Sequence, residues 1–499
     1  MTKATVNLHT KFQIGTVDDR IFGGFLEHLG RHIYKGVYEP DHPLSDNDGL
    51  RSDLRDALNE LGVTIARYPG GNFASGYHWE NGVGDRSSRP TVRELAWQST
   101  ETNHFGTNEF VHLCKKLNWQ PMLAVNLGTG SPEEARNWVE YCNLDAGTYY
   151  ADQRVQNGDE APLQVPVWCL GNEMDGPWQL GHVPVDEYCN RAQMAAKMMK
   201  DCDPSIELVA CGSSAPRMPT YVEWDQHVMR RLGPDLADFI SLHRYVGNSE
   251  GDSEDYLAIT KSVEQQIESI DAAARTVAAR QDTGRRTYLC FDEWNVWYRA
   301  RTRKDVDGAG KFAPPLLDET YNFEDALVVA MFLMSFIRHA DVVKIANIAQ
   351  LVNVIGPIKT NSDGVLKQSI YHAFRMVSSR KGGQALRQAI SCDSYTSTSH
   401  GEVPYLDSAA IINGDELKFF AVNRNLTEAM DLTIACADRP SSAFNDGELL
   451  SDTDLNATNT WESPTHVVSK PLSDVKLVNG QAHVELPPQS FLALSLQLG

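Results

Sequence analysis

The stretch PVWCLGNE at 166–173 decides the fold. A run of Val, Trp, Cys and Leu without strict polar alternation is the pattern of a parallel strand buried on both faces, and this one ends on polar residues. Seven more runs share the form: IFGGFLEH (21–28), VTIARYPG (63–70), QPMLAVNLG (120–128), IELVACGSS (206–214), FISLHRYV (239–246), TYLCFDEW (287–294) and VVKIANIAQ (342–350). Helical periodicity lies between them. Leu50, Leu54, Leu58 and Leu61 recur at steps of four and three, and Phe110, Leu113, Cys114 and Leu117 repeat that spacing before the next run. Eight βα units with polar residues at the strand C-termini describe an α/β fold, a (β/α)8 TIM barrel, in which a site is built from those ends. The units are longer than the minimum, so long loops are expected.

The flanks read differently. Beyond a helix expected at 371–378, the segments AAIINGDELKFFAVN and VKLVNGQAHVEL each carry an Asn-Gly of hairpin type, which predicts a C-terminal antiparallel β-sandwich. In the first 17 residues Val6, Leu8, Phe12 and Ile14 stand two or four apart, so this N-terminal strand is expected to join the sandwich. The expected division is a catalytic barrel over 18–378 and a discontinuous sandwich over 1–17 plus 379–499. Residues 440–475, rich in Ser, Asp, Asn and Thr, read as a loop region.

Composition narrows the partners. The 499 residues carry 45 Lys and Arg against 66 Asp and Glu, a formal charge of −21, with 42% hydrophobic and 22% charged residues, ordinary globular values. So negative a surface repels phosphate backbones and anionic lipid heads, so no nucleic acid and no membrane is expected as a partner, and a neutral substrate fits best. The N-terminus lacks the apolar core of a secretory signal. The apolar stretch from Ala326 to Ile337 is too short to span a bilayer, which takes about 20 residues, and reads as a buried helix. Nine scattered cysteines with no C-x-x-C fit reduced thiols in the cytoplasm.

Two carboxylates stand out at strand ends: Glu173 in WCLGNEMDGPW on the fourth strand and Glu293 in CFDEWNVW on the seventh. In a ring of eight these positions face each other across the mouth. Such a pair divides glycoside hydrolysis, one protonating the leaving oxygen and the other attacking the anomeric carbon, when the groups stand about 5 to 5.5 Å apart. A single strand-end Glu is usually a solvated loop residue, but two with Asn, Asp and Trp neighbours are not ordinary. Other patterns carry less. His28 and His32 have the spacing of paired metal ligands, yet Glu27 precedes the first His where H-E-x-x-H needs it after, so no metal is expected. VNLGTGSPEEA places Glu133 and Glu134 where a phosphate would sit, and these acids complement the helix dipole instead. DGAGKF at 307–312 lacks the first Gly and the final Ser or Thr of a phosphate loop and reads as a mobile βα loop. No G-x-S-x-G elbow ends a strand.

The blocks GGFLEHLGR, ARYPGGNFASGYHWENGVG, ETNHFGTNEF, WCLGNEMDGPWQLGH, SLHRY, FDEWNVWY and NIAQLVNVIGPI, in that order, make the chain resemble the retaining α-L-arabinofuranosidases of glycoside hydrolase family 51 over nearly its whole length. The resemblance implies Glu173 as general acid/base and Glu293 as nucleophile. It also implies Glu27, Arg67, Asn72, Asn172, His243, Tyr245 and Gln350 around the furanose ring, no cofactor, and a homo-oligomer, a hexamer in that family. Terminal arabinofuranosyl units of arabino-oligosaccharides are the implied substrate. The residues agree with these roles. Glu293 must stay ionised, which Arg67 and Tyr245 favour. Glu173 must hold a proton, which apolar rings such as Trp178 and the negative charge of Glu293 favour. Asn172 is expected on the sugar 2-OH. Trp97 and Trp178 offer flat surfaces for the leaving sugar or pack in loops. Another barrel-clan glycosidase, a β-xylosidase or endoglucanase, and a catalytically silent sugar-binding protein remain open at this point.

Overall fold

In the computed structural model, which describes residues 1–281, 284–302 and 308–499, the eight apolar runs form eight parallel strands closed into a barrel. Around the ring they are Gly23–Phe25, Ile65–Tyr68, Gln120–Ala124, Val167–Leu170, Glu207–Ala210, Phe239–Val246, Tyr288–Val296 and Val343–Ala349, the last pairing back to the first. The first is short and built on two glycines because the neighbouring strand stands so near. A Cβ on Gly23 would lie 2.0 Å from Asn347 Oδ1. Inward-pointing Ile65, Met122, Val167, Cys169, Val209, Phe239, Cys290 and Ile345 fill the interior beneath the mouth, so the barrel is a packed core and not a pore.

Helices surround the strands. Ser52–Leu61 and Thr107–Leu117 bury the leucine and phenylalanine stripes that periodicity predicts, with Leu50 lying just outside its helix. Pro132–Asn143 begins on Ser131, whose hydroxyl accepts the Glu134 N–H at 3.0 Å. The apolar stretch at Ala326 to Ile337 belongs to the helix Phe323–Arg338, buried at every position but the last. It has no polar face because the barrel covers one side and the C-terminal sheet the other, through the strands Leu406–Asn413, Glu416–Asn423 and Ser490–Leu498. Among the described residues no helix is long and apolar enough to cross a membrane, and none of the nine cysteines is in a disulfide.

Nine C-terminal strands and Thr2–Thr16 form one ten-stranded sheet, with Ser394–Ser397 and Gly401–Pro404 as a separate hairpin. The two ends of the sheet approach each other, so its halves enclose Val6, Leu8, Phe419, Leu432, Val484 and Leu494 as a second core. The sheet is mixed and not purely antiparallel: Thr2–Thr16 runs antiparallel to Gln384–Cys392 but parallel to Met430–Cys436. Its alternation also breaks. A register shift between Leu8 and Gln13 turns Phe12 outward, 60% exposed, where simple alternation predicts burial. Of the two hairpins, 478–481 turns on Asn479-Gly480, both at positive φ, whereas the other pairs Asn413 with Glu416 and turns on Gly414-Asp415. The segment expected as loop over 440–475 holds a strand, Ser441–Ser451, along Ser490–Leu498. Its polar side chains face outward and only Ser441, Gly447 and Leu450 are buried, which hid it.

Candidate active site

A cavity of about 360 Å³ opens at the C-terminal mouth of the barrel. Volumes of this order lie at the small end of ligand pockets and suit a single sugar unit. Glu27, Asn72, Trp97, Glu173, Trp178, His243, Tyr245, Glu293 and Gln350 line it. Arg67 and Asn172 lie directly beneath, both buried.

The seventh strand owes its chemistry to an irregularity. Cys290 pairs with Ser241 and Glu293 with His243, so three steps on one strand match two on the other. This bulge sends Asp292 and Glu293 to the same side, where a regular strand would separate them. Glu293 is then gripped from two directions: Arg67 Nη1 donates to Oε1 at 2.8 Å and the Tyr245 hydroxyl to Oε2 at 2.9 Å. The other guanidinium nitrogen of Arg67 donates to Asn172 Oδ1 at 2.7 Å. Burial pushes the Glu293 carboxyl above its ordinary value; the His243 and Arg67 charges oppose the rise, and Glu173 and Asp292 add to it. Gly71 packs against the same group, and a Cβ there would lie 2.6 Å from Glu293 Oε1.

Glu173 lies in the turn just after the fourth strand in a left-handed backbone, φ 43°, after Gly171 at φ 92°. That conformation costs a non-glycine residue about 1 kcal/mol and turns its carboxyl into the cavity. Asp175 anchors the turn by accepting the Ser214 N–H at 3.0 Å, with burial pushing its own carboxyl up to about 6. A carboxylate oxygen of Glu173 and one of Glu293 stand within 4.8 Å of each other. Between them lies His243, whose Nδ1 is 2.9 Å from Glu173 Oε1 and 3.5 Å from Glu293 Oε2. Burial alone would weaken this base, but the charges of Glu293 and Asp292 win and hold it well above the ordinary histidine value. Trp178 does not lie over Glu173 as an apolar ring. Half exposed, it reaches Glu173 Oε2 with its indole N–H, so the turn supplies a donor where sequence reasoning expected an apolar wall.

Glu27 lies deeper. The backbone N–H groups of Gly71 and Phe73 and the indole of Trp97 all donate to Oε1, at 3.1, 3.0 and 3.2 Å, and Gln350 Nε2 donates to Oε2 at 3.1 Å. Burial and the nearby Glu293 nevertheless push this carboxyl up to about 8. Trp97 reaches it from a hairpin whose rungs are Val92–Arg93 and Thr100–Glu101. Glu94 shapes the tip, accepting the Trp97 and Ser99 N–H groups, and the Thr100 N–H binds the Lys311 carbonyl on the neighbouring loop. Of the 307–312 segment, Asp307 lies outside the described residues.

Sequence reasoning missed Asp292, Gly71, Asp175 and the cavity-lining Trp297, Arg217 and Arg301. Asp292 sits inside the quoted CFDEW run, but only the bulge reveals its direction. His28 and His32 do not act together: His28 contacts Glu101 and Tyr68, while burial pushes His32 down to about 3. Glu173, His243 and Glu293 have spacing that suits a metal ion. Both His243 nitrogens, however, face carboxylates, with Nε2 at 3.3 Å from Asp292 Oδ1, and a doubly protonated imidazole has no lone pair to offer a cation.

Comparison with known proteins places the chain among relatives. Residues 57–247 match the family model of the α-L-arabinofuranosidase 1 domain, and residues 292–490 that of the α-L-arabinofuranosidase C-terminal domain. The chain is 45% identical over 462 residues, 92% of each chain, to the intracellular exo-α-(1→5)-L-arabinofuranosidase 1 of Bacillus subtilis. It is 38% identical over 500 residues, 97% of this chain and 96% of the other, to an exo-α-(1→6)-L-arabinofuranosidase of Bifidobacterium longum. A solved family 51 α-L-arabinofuranosidase from Bifidobacterium longum superposes over the whole of both chains, with a TM-score of 0.95 at 37% identity.

Proposed function

The chain belongs to the α-L-arabinofuranosidases of glycoside hydrolase family 51, and we propose that it performs their exo-hydrolysis by double displacement, with Glu293 as nucleophile and Glu173 as acid/base. It is an exo-α-L-arabinofuranosidase acting on arabino-oligosaccharides, which sets aside a xylosidase, an endoglucanase or a silent binding protein. The observation that supports the mechanism is the carboxylate separation. An oxygen of one within 4.8 Å of an oxygen of the other favours the close pairing of direct attack, about 5 to 5.5 Å, over the wider spacing of about 6.5 to 9.5 Å that leaves room for an inverting water.

The first step breaks the bond from the anomeric carbon to the leaving oxygen and forms an ester between that carbon and Glu293. Glu173 passes its proton to the leaving oxygen. In the second step a water attacks the anomeric carbon, Glu173 takes the water's proton, and the ester bond returns its electrons to Glu293. Arg67 and Tyr245 hold Glu293 in line and stabilise it as the leaving carboxylate. Asn172, itself held by Arg67, is offered to the sugar 2-OH, while Glu27, Asn72 and Gln350 are offered to the other hydroxyls. Trp97 and Trp178 border the leaving sugar.

The 1→5 linkage is the proposed preference, on the higher identity to the Bacillus subtilis relative, with 1→6 second. Action inside the cell, as in that relative's name, makes short imported oligosaccharides the substrates. The barrel at 18–378, the sandwich at 1–17 plus 379–499 and a hexameric assembly complete the proposal; light scattering tests the last. The deciding assay compares a chromogenic α-L-arabinofuranoside with β-xylopyranoside and β-glucopyranoside analogues, then 1→5- with 1→6-linked arabino-oligosaccharides. Release of arabinose alone, fastest from 1→5 bonds, is expected.

A further inference from the structure

Below the reacting carboxylates lies a third that the mechanism above does not use. Asp292 is 1% exposed, and each of its oxygens meets one cation. Oδ1 takes the Ser241 hydroxyl and stands 3.3 Å from His243 Nε2; Oδ2 stands 3.4 Å from Arg67 Nε and 4.0 Å from the Cys169 thiol. From these two cations the contacts continue upward, Arg67 to Glu293 and Asn172, and His243 to Glu173 and Glu293. We infer that Asp292 is a positioning residue of the reaction: its carboxylate holds Arg67 and His243 as two cations, aimed at Glu293 and Glu173, and keeps both His243 nitrogens protonated through both steps. This inference rests on the acid/base reading of Glu173.

The physical case is one of charge and of donors. A buried carboxylate without partners is costly, and here each oxygen is matched by a positive group, so Asp292 stays ionised at any working pH; its carboxyl is held below the ordinary range, with Arg67 and His243 overcoming burial. With Nε2 facing Asp292 Oδ1 at 3.3 Å, Nδ1 is turned toward Glu173 and Glu293. When Glu173 gives up its proton to the leaving oxygen, its new charge therefore meets a donor already in place. His243 is not the proton source. It keeps its own two protons while Glu173 loses and regains one. Among the described residues, the charged groups in ionic contact with the His243 ring are Glu173 on the fourth-strand turn and Asp292 and Glu293 on the seventh strand. An asparagine in place of Asp292 could satisfy only one cation, because its amide nitrogen would point a donor at the other.

The test is Asp292→Asn, assayed as the folded enzyme with its melting temperature recorded. We expect kcat/KM to fall on the order of 100-fold, the size that misaligned catalytic groups produce. The basic limb of the pH profile should move to higher pH, since the ionised acid/base loses its cationic neighbour. A merely structural role would lower the melting temperature and leave the pH profile unmoved, and that result overturns the inference. Should the variant fail to fold, neutron diffraction on the wild-type enzyme decides. Deuterium on both His243 nitrogens near neutral pH supports the inference, and a neutral ring defeats it. Azide rescue of Glu173→Ala tests the underlying reading separately, so the two can fail independently.

Discussion

Glu173 and Glu293 face each other from opposite sides of the barrel mouth, each with a carboxylate oxygen within 4.8 Å of the other. The pair is symmetric in distance but not in company. Glu293 has an arginine and a tyrosine fixed on it, whereas Glu173 sits on a turn with a half-exposed tryptophan. Their substitutions should therefore differ in kind. Glu293→Ala is expected to abolish turnover even of an activated aryl arabinofuranoside. Glu173→Ala should keep forming the ester with that substrate and recover turnover when azide is added. Equal loss without rescue contradicts the roles.

Gly71→Ala isolates packing from charge. The residue, at φ −86° and ψ −101°, is buried against the nucleophile and carries no charge of its own. Its added methyl would press on Glu293 Oε1 at 2.6 Å and displace the carboxylate. We expect about a 100-fold loss in kcat, measured by steady-state kinetics at a temperature where a thermal scan shows the variant fully folded.

Glu27 makes a prediction about stability and pH. Its folded carboxyl is raised to about 8 from an ordinary value of 4.5, so the unfolded chain gives up this proton before the folded one does. The stability it contributes is fully present below pH 4.5 and is lost as pH rises through 8, by up to about 1.4 kcal/mol per pH unit. Glu27→Gln removes that titration. Melting curves from pH 5 to about 9 should show the wild-type enzyme losing ground relative to the variant; parallel curves would contradict the raised value.

Trp178→Phe keeps the ring and removes the indole N–H from Glu173 Oε2. Because the side chain is 49% exposed, the melting temperature should stay put, while kcat/KM falls by roughly tenfold, the loss expected for one charge-assisted hydrogen bond. Loss of stability without loss of rate would make the tryptophan a packing residue.

The barrel was legible because burial on both faces leaves a compositional mark: seven of the eight apolar runs contain their strands, and the seventh strand, Tyr288–Val296, outruns its run, 287–294, by two residues. The two carboxylates were legible for a related reason, since polar residues closing such a run point to a site. What the sequence concealed is backbone irregularity. Asp292 and Glu293 share a side only through a bulge, Phe12 is turned outward by a register shift, and Trp97 comes from a hairpin well removed from any barrel strand. None of these leaves a periodic signal. The strand Ser441–Ser451 is hidden differently, by an edge-facing polar composition that resembles a loop.

The most direct test of the account is to incubate Glu173→Ala with an activated aryl α-L-arabinofuranoside, quench, and map the modified peptide by mass spectrometry. The account predicts one arabinosyl ester, on Glu293 in the peptide spanning CFDEWNVW. An unlabelled protein after release of the aryl group, or a label on any other residue, would contradict it.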